Sequence, residues 1–282
     1  MKNSLLFLIL FIVYSNSYGQ KDIIENQFKY KITYNLRYQM DSTDIESQKG
    51  EKMVLYIGDE FSRFSSEGKA IGDSIRSNMS ESDYNVSTYM SMRNQIPKVA
   101  FEYYLYKGIP EGKITYTREF IDDKYRYTEN QGRFDWTVHD ERDTIAGFSV
   151  QKATTRFSGR DYTAWFTEEI PFSEGPYKFN GLPGLIIKIK DNKGHYVYEL
   201  IGIQKLKNPI PLAFQKDEYM ETTKKELSDL ELEFKRDPAG FINRSMPDVN
   251  IKVNYKSKAH KIKLEGQRRE KLRNQNNPIE LE

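Results

Sequence analysis

The chain of 282 residues has no cysteine, three histidines and two tryptophans. Without cysteine there are no disulfides, thiolate nucleophiles or zinc knuckles, and no lipobox residue to acylate. The histidines show no His-Glu-x-x-His spacing, so the usual helical zinc signature is missing. Long apolar runs are lacking as well. The unbroken run from Leu5 to Val13 is nine residues, against the roughly 20 that a bilayer-spanning helix needs. No Ser/Gly- or Pro-rich linker divides the chain, and no internal repeat is visible. The formal net charge is only +2, which excludes a global pull on nucleic acid or acidic lipid.

The apolar run near the start has a specific reading. Lys2 supplies a short positive segment, Leu5 to Val13 an apolar one, and Ser17-Tyr18-Gly19 small residues at −3 and −1 of a cleavage site. The expected organisation is a signal peptide over 1–19 and a single β-rich domain over 20–282 that ends in a polar tail. Cleavage would leave Gln20 as the first residue, in a monomer of the periplasm or extracellular space with no transmembrane span.

Aromatic residues are abundant, at 13%, with 20 Tyr and 16 Phe. Mean hydropathy is low, at −0.75. Tyrosine suits strands that show one face to a core and the other to water. Phe28, Tyr30, Ile32, Tyr34, Leu36 and Tyr38 alternate with polar residues, the period-2 pattern of such a strand. Further strands are expected at 53–57, 61–64, 99–106, 114–121, 125–128, 134–138, 144–157, 162–167, 187–190 and 195–204, with a short helix after Glu67. Over Lys216 to Arg236, Met220, Thr223, Leu227, Leu230 and Phe234 recur at helical spacing, and Pro238 closes the run. The expected fold is mainly β: a strongly curved antiparallel sheet or open half-barrel with this one amphipathic helix packed over it. A final strand is expected near Val249 to Lys256, extending toward Leu264. Lys252 to Arg273 holds nine Lys or Arg against Glu265 and Glu270. It reads as a solvated terminal segment or, less plainly, as a basic face for an anionic partner.

The most distinctive string is Phe179-Asn180-Gly181-Leu182-Pro183-Gly184-Leu185-Ile186-Ile187. Pro183 fixes φ near −65° and Gly184 tolerates positive φ, so Leu182 to Leu185 suits a type II turn. Ile187 and Ile189 then alternate with Lys188 and Lys190 as a half-buried strand. Gly181 to Ile186 resembles the defining motif of the GLPGLI family, secreted bacterial proteins of unknown function. The segments Ile145 to Phe148 and Tyr162 to Thr167, with the closing Asn276-Asn277-Pro278-Ile279-Glu280, are similar to the family's pattern too. More loosely, the order of hairpin, Trp-containing strand and Leu-Pro-Gly turn is similar to that of LolA/LolB-type lipoprotein carriers, half-barrels that hold acyl chains.

Catalytic signatures are missing in turn. Gly147-Phe148-Ser149-Val150-Gln151 lacks the second glycine of a nucleophile elbow. Gly108 to Lys113 has too short a glycine spacing for a phosphate loop, and Ile114 stands where Mg²⁺ binding needs Ser or Thr. His139 lies among Asp135, Asp140, Glu141 and Asp143, a set that would serve a metal only if it converged on one ion; a solvated turn explains it equally. His195 and His260 read as surface residues. Neither a metal nor a cofactor is expected. The residues left for binding are Tyr162 and Trp165, as the floor of a groove or as core, and the turn Gly181, Leu182, Pro183, Gly184, Leu185, Ile186. The expected function is an exported, non-enzymatic binding or carrier module for an apolar ligand or a lipidated or peptide segment in the cell envelope. The alternative is an interaction module for an outer-membrane or secreted partner, with a hydrolase third.

Overall fold

The computed structural model describes residues 26–80, 88, 91, 94–132, 134–246, 248 and 250–281. The expected signal peptide and its cleavage site therefore lie outside the described residues. The strands are β1 (Gln27–Gln39), β2 (Gln48–Ile57), β3 (Ser62–Ser66), β4 (Tyr103–Lys107), β5 (Lys113–Phe120), β6 (Asp123–Asn130), β7 (Thr137–Ile145), β8 (Phe148–Phe157), β9 (Arg160–Thr167), β10 (Leu185–Asp191), β11 (Tyr196–Pro211) and β12 (Met220–Glu221). They form one mixed sheet, ordered β12-β6-β5-β4-β3-β2-β1-β11-β10-β9-β8-β7 and not closed into a barrel. Only the β12–β6 pair is parallel.

Strand β1 pairs with β2 on one side and with the far later β11 on the other. Its alternation is as the sequence indicates. Ile32, Tyr34, Leu36 and Tyr38 are buried in the main core, while Lys29 and Lys31 on the opposite face pair with Asp59 and Glu67. Strand β2 is buried on both faces. Met53, Leu55 and Ile57 join the main core, and Val54 and Tyr56 meet Phe28 in a smaller cluster that includes Ala70. That alanine belongs to helix α1 (Glu67–Ser77), which covers this side.

Three expectations are corrected. The run 144–157 is a hairpin, not one strand, and β7 begins at Thr137 rather than Phe134. Ala146 and Gly147 turn it with φ of 51° and 84°, the doubly left-handed geometry whose twist suits a two-residue hairpin. Second, the 216–236 helix begins eight residues late. Met220 lies in β12, and helix α2 (Lys224–Arg236) starts behind a capping box in which Thr223 and Glu226 satisfy each other's backbone N–H groups. Third, residues 250–255 have no regular structure, and helix α4 (Lys258–Arg273) follows behind the Ser257 cap where a strand was expected. A further helix, α3 (Pro238–Ser245), is capped by Asp237 with Pro238 at its first position. The single covering helix is thus one of several.

Helix α2 does lie over the sheet. Leu227, Leu230 and Phe234 pack with Phe241 of α3 onto Phe120 and Tyr127 of β5 and β6. Because the Thr223 cap satisfies an otherwise orphaned N–H, Thr223→Ala is expected to destabilise by about 1 kcal/mol. Thermal melting should show this as a fall of about 2–4 °C.

Both sheet edges are blunted. Strand β7 is exposed along nearly its whole length, but Asp140, Glu141, Arg142 and Asp143 sit on it and a bulge breaks its register between Val138 and Arg142. The other edge, β12, is two residues long. Charged, bulged or very short edges discourage strand addition.

Candidate functional site

After β9 the chain leaves the sheet and crosses its core face before re-entering as β10. Gly175 to Asn180 are buried in this crossing. Phe179 lies 5.3 Å from the Phe134 ring, 5.6 Å from Phe157 and 4.7 Å from Tyr162. The crossing is held by Lys107, fully buried at the end of β4. Its Nζ donates to the carbonyls of Gly175 (2.9 Å) and Phe179 (3.2 Å) and pairs with Glu174. Burial pushes the Lys107 ammonium pKa down, and Glu174 opposes that shift.

The motif turn ends the crossing, and its apolar members are core. Leu182, Leu185 and Ile186 are buried, whereas Gly181 and Pro183 are exposed. The turn is not type II: Gly184 has φ of 150° and donates to the Leu182 carbonyl two residues back, at 2.8 Å. Nor do the expected binding residues form one site. Tyr162 and Trp165 are three residues apart on β9 and so face opposite sides of the sheet. Tyr162 is in the core beside Phe179, while Trp165 is half-buried between its register partners Lys152 and Lys188.

His139 donates to or accepts from the Thr154 hydroxyl at 2.8 Å, and Glu141 pairs with Lys152. Among the described residues no group of three or more His, Asp or Glu side chains converges as a metal site would require. His195 is corrected from surface to buried: its carbonyl accepts from the Gln39 N–H at 2.9 Å, which tucks the start of β11 against the end of β1.

The closing residues form a strap on the same face. Arg160, nine-tenths or more buried, donates to Asn277 Oδ1 (2.7 Å), to the carbonyls of Pro278 (2.6 Å) and Ile279 (3.1 Å), and to Asp191 (2.9 Å). Asn277 donates in turn to the Gln39 carbonyl and accepts from the Tyr196 hydroxyl. Glu280 pairs with Lys178 and Lys224, each at 2.6 Å, and accepts from Tyr177.

Between this strap, the crossing segment and α2 is a half-open cavity of 240 Å³. Its walls are Tyr103 of β4, Tyr116 of β5, Tyr177 of the crossing segment and Tyr196 of β11, with Glu231 and Lys235 of α2 also lining it. Burial raises the pKa of all four phenols, so each stays a neutral hydrogen-bonding group. Tyr177 and Tyr196 spend their hydroxyls on the strap. The Tyr103 hydroxyl is buried with no hydrogen-bond partner among the described residues. Nearby Glu51 accepts from the Ala100 N–H with one carboxylate oxygen, while its other oxygen is buried without a hydrogen-bond partner among the described residues. Its carboxyl is held above the usual range chiefly by burial. Sequence reasoning missed this site because its residues come from distant parts of the chain; only the Asn276 to Glu280 string was a signal.

Comparison with known proteins agrees at the motif. The profile of a family described as "Protein of unknown function (Porph_ging)" matches residues 158–188, which run from the β8–β9 turn through the crossing segment into β10. The chain carries the GLPGLI family's signature. No curated protein matches the sequence. Two crystal forms of PNGF-II are similar in structure, each with a TM-score of 0.49 and 14% identity over 72% of this chain. The chain spans 32% of the PNGF-II chain. Physically, the GLPGLI segment is the piece that plugs the core face, so its apolar residues need no ligand to explain them.

Proposed function

We propose that this protein is an exported binding module that holds a neutral, ring-sized ligand in the tyrosine-walled cavity on the core face. The observation that carries this is Tyr103, a residue of the cavity wall whose hydroxyl is buried and has no hydrogen-bond partner among the described residues. Buried polar groups are almost always paired. A ligand oxygen accepting from Tyr103 between aromatic walls would satisfy it, and pockets of this kind combine apolar walls with a few such polar groups. The 240 Å³ volume lies just below the usual ligand-pocket range of about 300–1,000 Å³, which favours one ring over an acyl chain. The raised phenol pKa values keep the four wall tyrosines neutral and suit them to hydrogen-bonding a neutral ligand.

A curved sheet is part of this reading. Tyr103 and Tyr196 share the cavity although β3, β2 and β1 lie between their strands. In a flat sheet four spacings of about 4.8 Å would hold them roughly 19 Å apart. The rings of Phe64 on β3 and Tyr198 on β11 are likewise 6.1 Å apart across two intervening strands. The blunted edges weigh against partner binding by strand addition.

The test is Tyr103→Phe, measured with and without a small ligand. Cyclohexanone and phenol serve as probes, by ligand-observed NMR. Loss of the hydroxyl should weaken binding up to about tenfold. In the free protein the same change should leave the melting temperature unchanged or raise it, because an unsatisfied polar group is removed. A destabilised free variant would mean that Tyr103 has a protein partner, and the reading would fail.

A further inference from the structure

A second cleft, larger than the tyrosine cavity and remote from the sheet core, lies between α2 and α4. Its volume is 760 Å³, and its lining carries Arg236, Lys261, Arg268, Arg269 and Arg273 against Asp237 and Glu265. Both acids are engaged. Asp237 caps α3 through the Gly240 N–H, and Glu265 faces Lys261 at 3.8 Å. Arg268 donates to the Arg236 carbonyl at 3.2 Å. The side chains of Arg236, Arg269 and Arg273 make no hydrogen bond or ion pair among the described residues, although Arg273 is near enough to Asp41 to help lower its carboxyl pKa, chiefly set by the Thr43 N–H.

Helix electrostatics account for part of this charge. Arg236 and Arg273 end their helices, where the dipole favours cations. Lys261, Arg268 and Arg269 do not sit in a final turn, yet they face the same cleft. Five cations against two acids leave the concavity with a net positive charge that an added anion would offset. Guanidinium forks match tetrahedral oxyanions in a bidentate geometry. The rest of the lining is apolar: Leu232, Leu272 and the Tyr255 ring, with Lys261 5.6 Å above that ring.

We propose that this cleft binds a small soluble ligand that carries phosphate-type oxyanions beside an apolar or flat portion. A membrane surface is the less suitable source of such groups. Helix α4 buries no residue and shows no apolar stripe that would lie in a lipid interface, and the cations line a hollow rather than a flat face.

Calorimetric titration of the purified protein with pyrophosphate at low ionic strength tests this. Saturable binding is expected, weakening as NaCl is raised. Arg269→Gln with Arg273→Gln should reduce affinity at least tenfold, and Lys261→Gln alone by a smaller factor. Arg156→Gln, a substitution of an exposed arginine on β8, should have no effect. Absence of binding at low salt would overturn the proposal, as would unchanged affinity in the double variant. So would sedimentation with phosphatidylcholine–phosphatidic acid vesicles by a protein that does not bind pyrophosphate.

Discussion

Gly184→Val is expected to destabilise the protein by about 3–5 kcal/mol, seen as a lower midpoint in equilibrium urea unfolding. The reason is a close approach rather than turn type. A Cβ at Gly184 would lie 2.0 Å from the Thr167 carbonyl oxygen, 2.6 Å from its carbon and 3.0 Å from the Glu168 nitrogen. All three are backbone atoms, so no side chain can swing aside. The φ of 150° adds strain of about 1–3 kcal/mol for any residue with a Cβ, and crowding in a packed region adds a similar amount. Gly184→Ala should already show most of the loss. An alanine variant that unfolds at the wild-type urea concentration would show that the backbone of Thr167 is free to move. The glycine would then be held for some other reason.

Arg160→Ala should cost about as much, by a different route. It removes four hydrogen bonds and leaves Asp191, itself fully buried, without its cation. Breaking one side of a buried ion pair typically costs about 3–5 kcal/mol. Arg160→Lys should recover little, since an ammonium cannot reproduce the fork that reaches Asp191 and three strap residues at once. Limited proteolysis should release the closing residues from the alanine variant first. Uniform resistance to protease would mean that the strap is held without Arg160. Acid should loosen the same strap. Burial alone would raise the Glu280 carboxyl, but Lys178, Lys224 and Tyr177 together hold it below the ordinary carboxylate value of 4.5. A depressed folded-state value gives stabilisation that is complete above the ordinary value of 4.5 and lost as pH falls through the lower folded value. Glu280→Gln should remove this component of the acid dependence.

Much of the sheet was legible because its signals are local. The alternation in β1, the expected strands at 53–57 and 61–64, and the apolar residues of β10 each sit within about a dozen residues of sequence. The misses have physical causes. The β7–β8 hairpin turns on Ala146, a residue type that seldom adopts positive φ, so only Gly147 marked it. Helix α4 shows almost no apolar periodicity. Its cues were the Ser257 cap and a run of good helix formers such as Lys, Arg, Leu and Glu, which pattern reading underweights. Met220 matched the α2 stripe by spacing, but the capping box placed the helix start after it. At the motif, glycine and proline correctly marked a turn, and only the through-space neighbour Thr167 explains why Gly184 must be glycine. The tyrosine cavity was not legible. Three of its wall residues read as ordinary strand tyrosines and Tyr177 as part of a loop until the sheet and the crossing segment bring residues 103, 116, 177 and 196 together.

The position of Asn277 fixes when this molecule can finish folding. Its amide donates to the carbonyl of Gln39, the last residue of β1, and its carbonyl accepts from Tyr196 at the head of β11. Strand β1 therefore stays without its β11 neighbour until residues 196–211 exist, and without its latch until residue 277 is made. Contacts of such long sequence separation close slowly. A chain cut between the last strand and the strap would keep its strands yet leave Arg160 without its partners at residues 277–279.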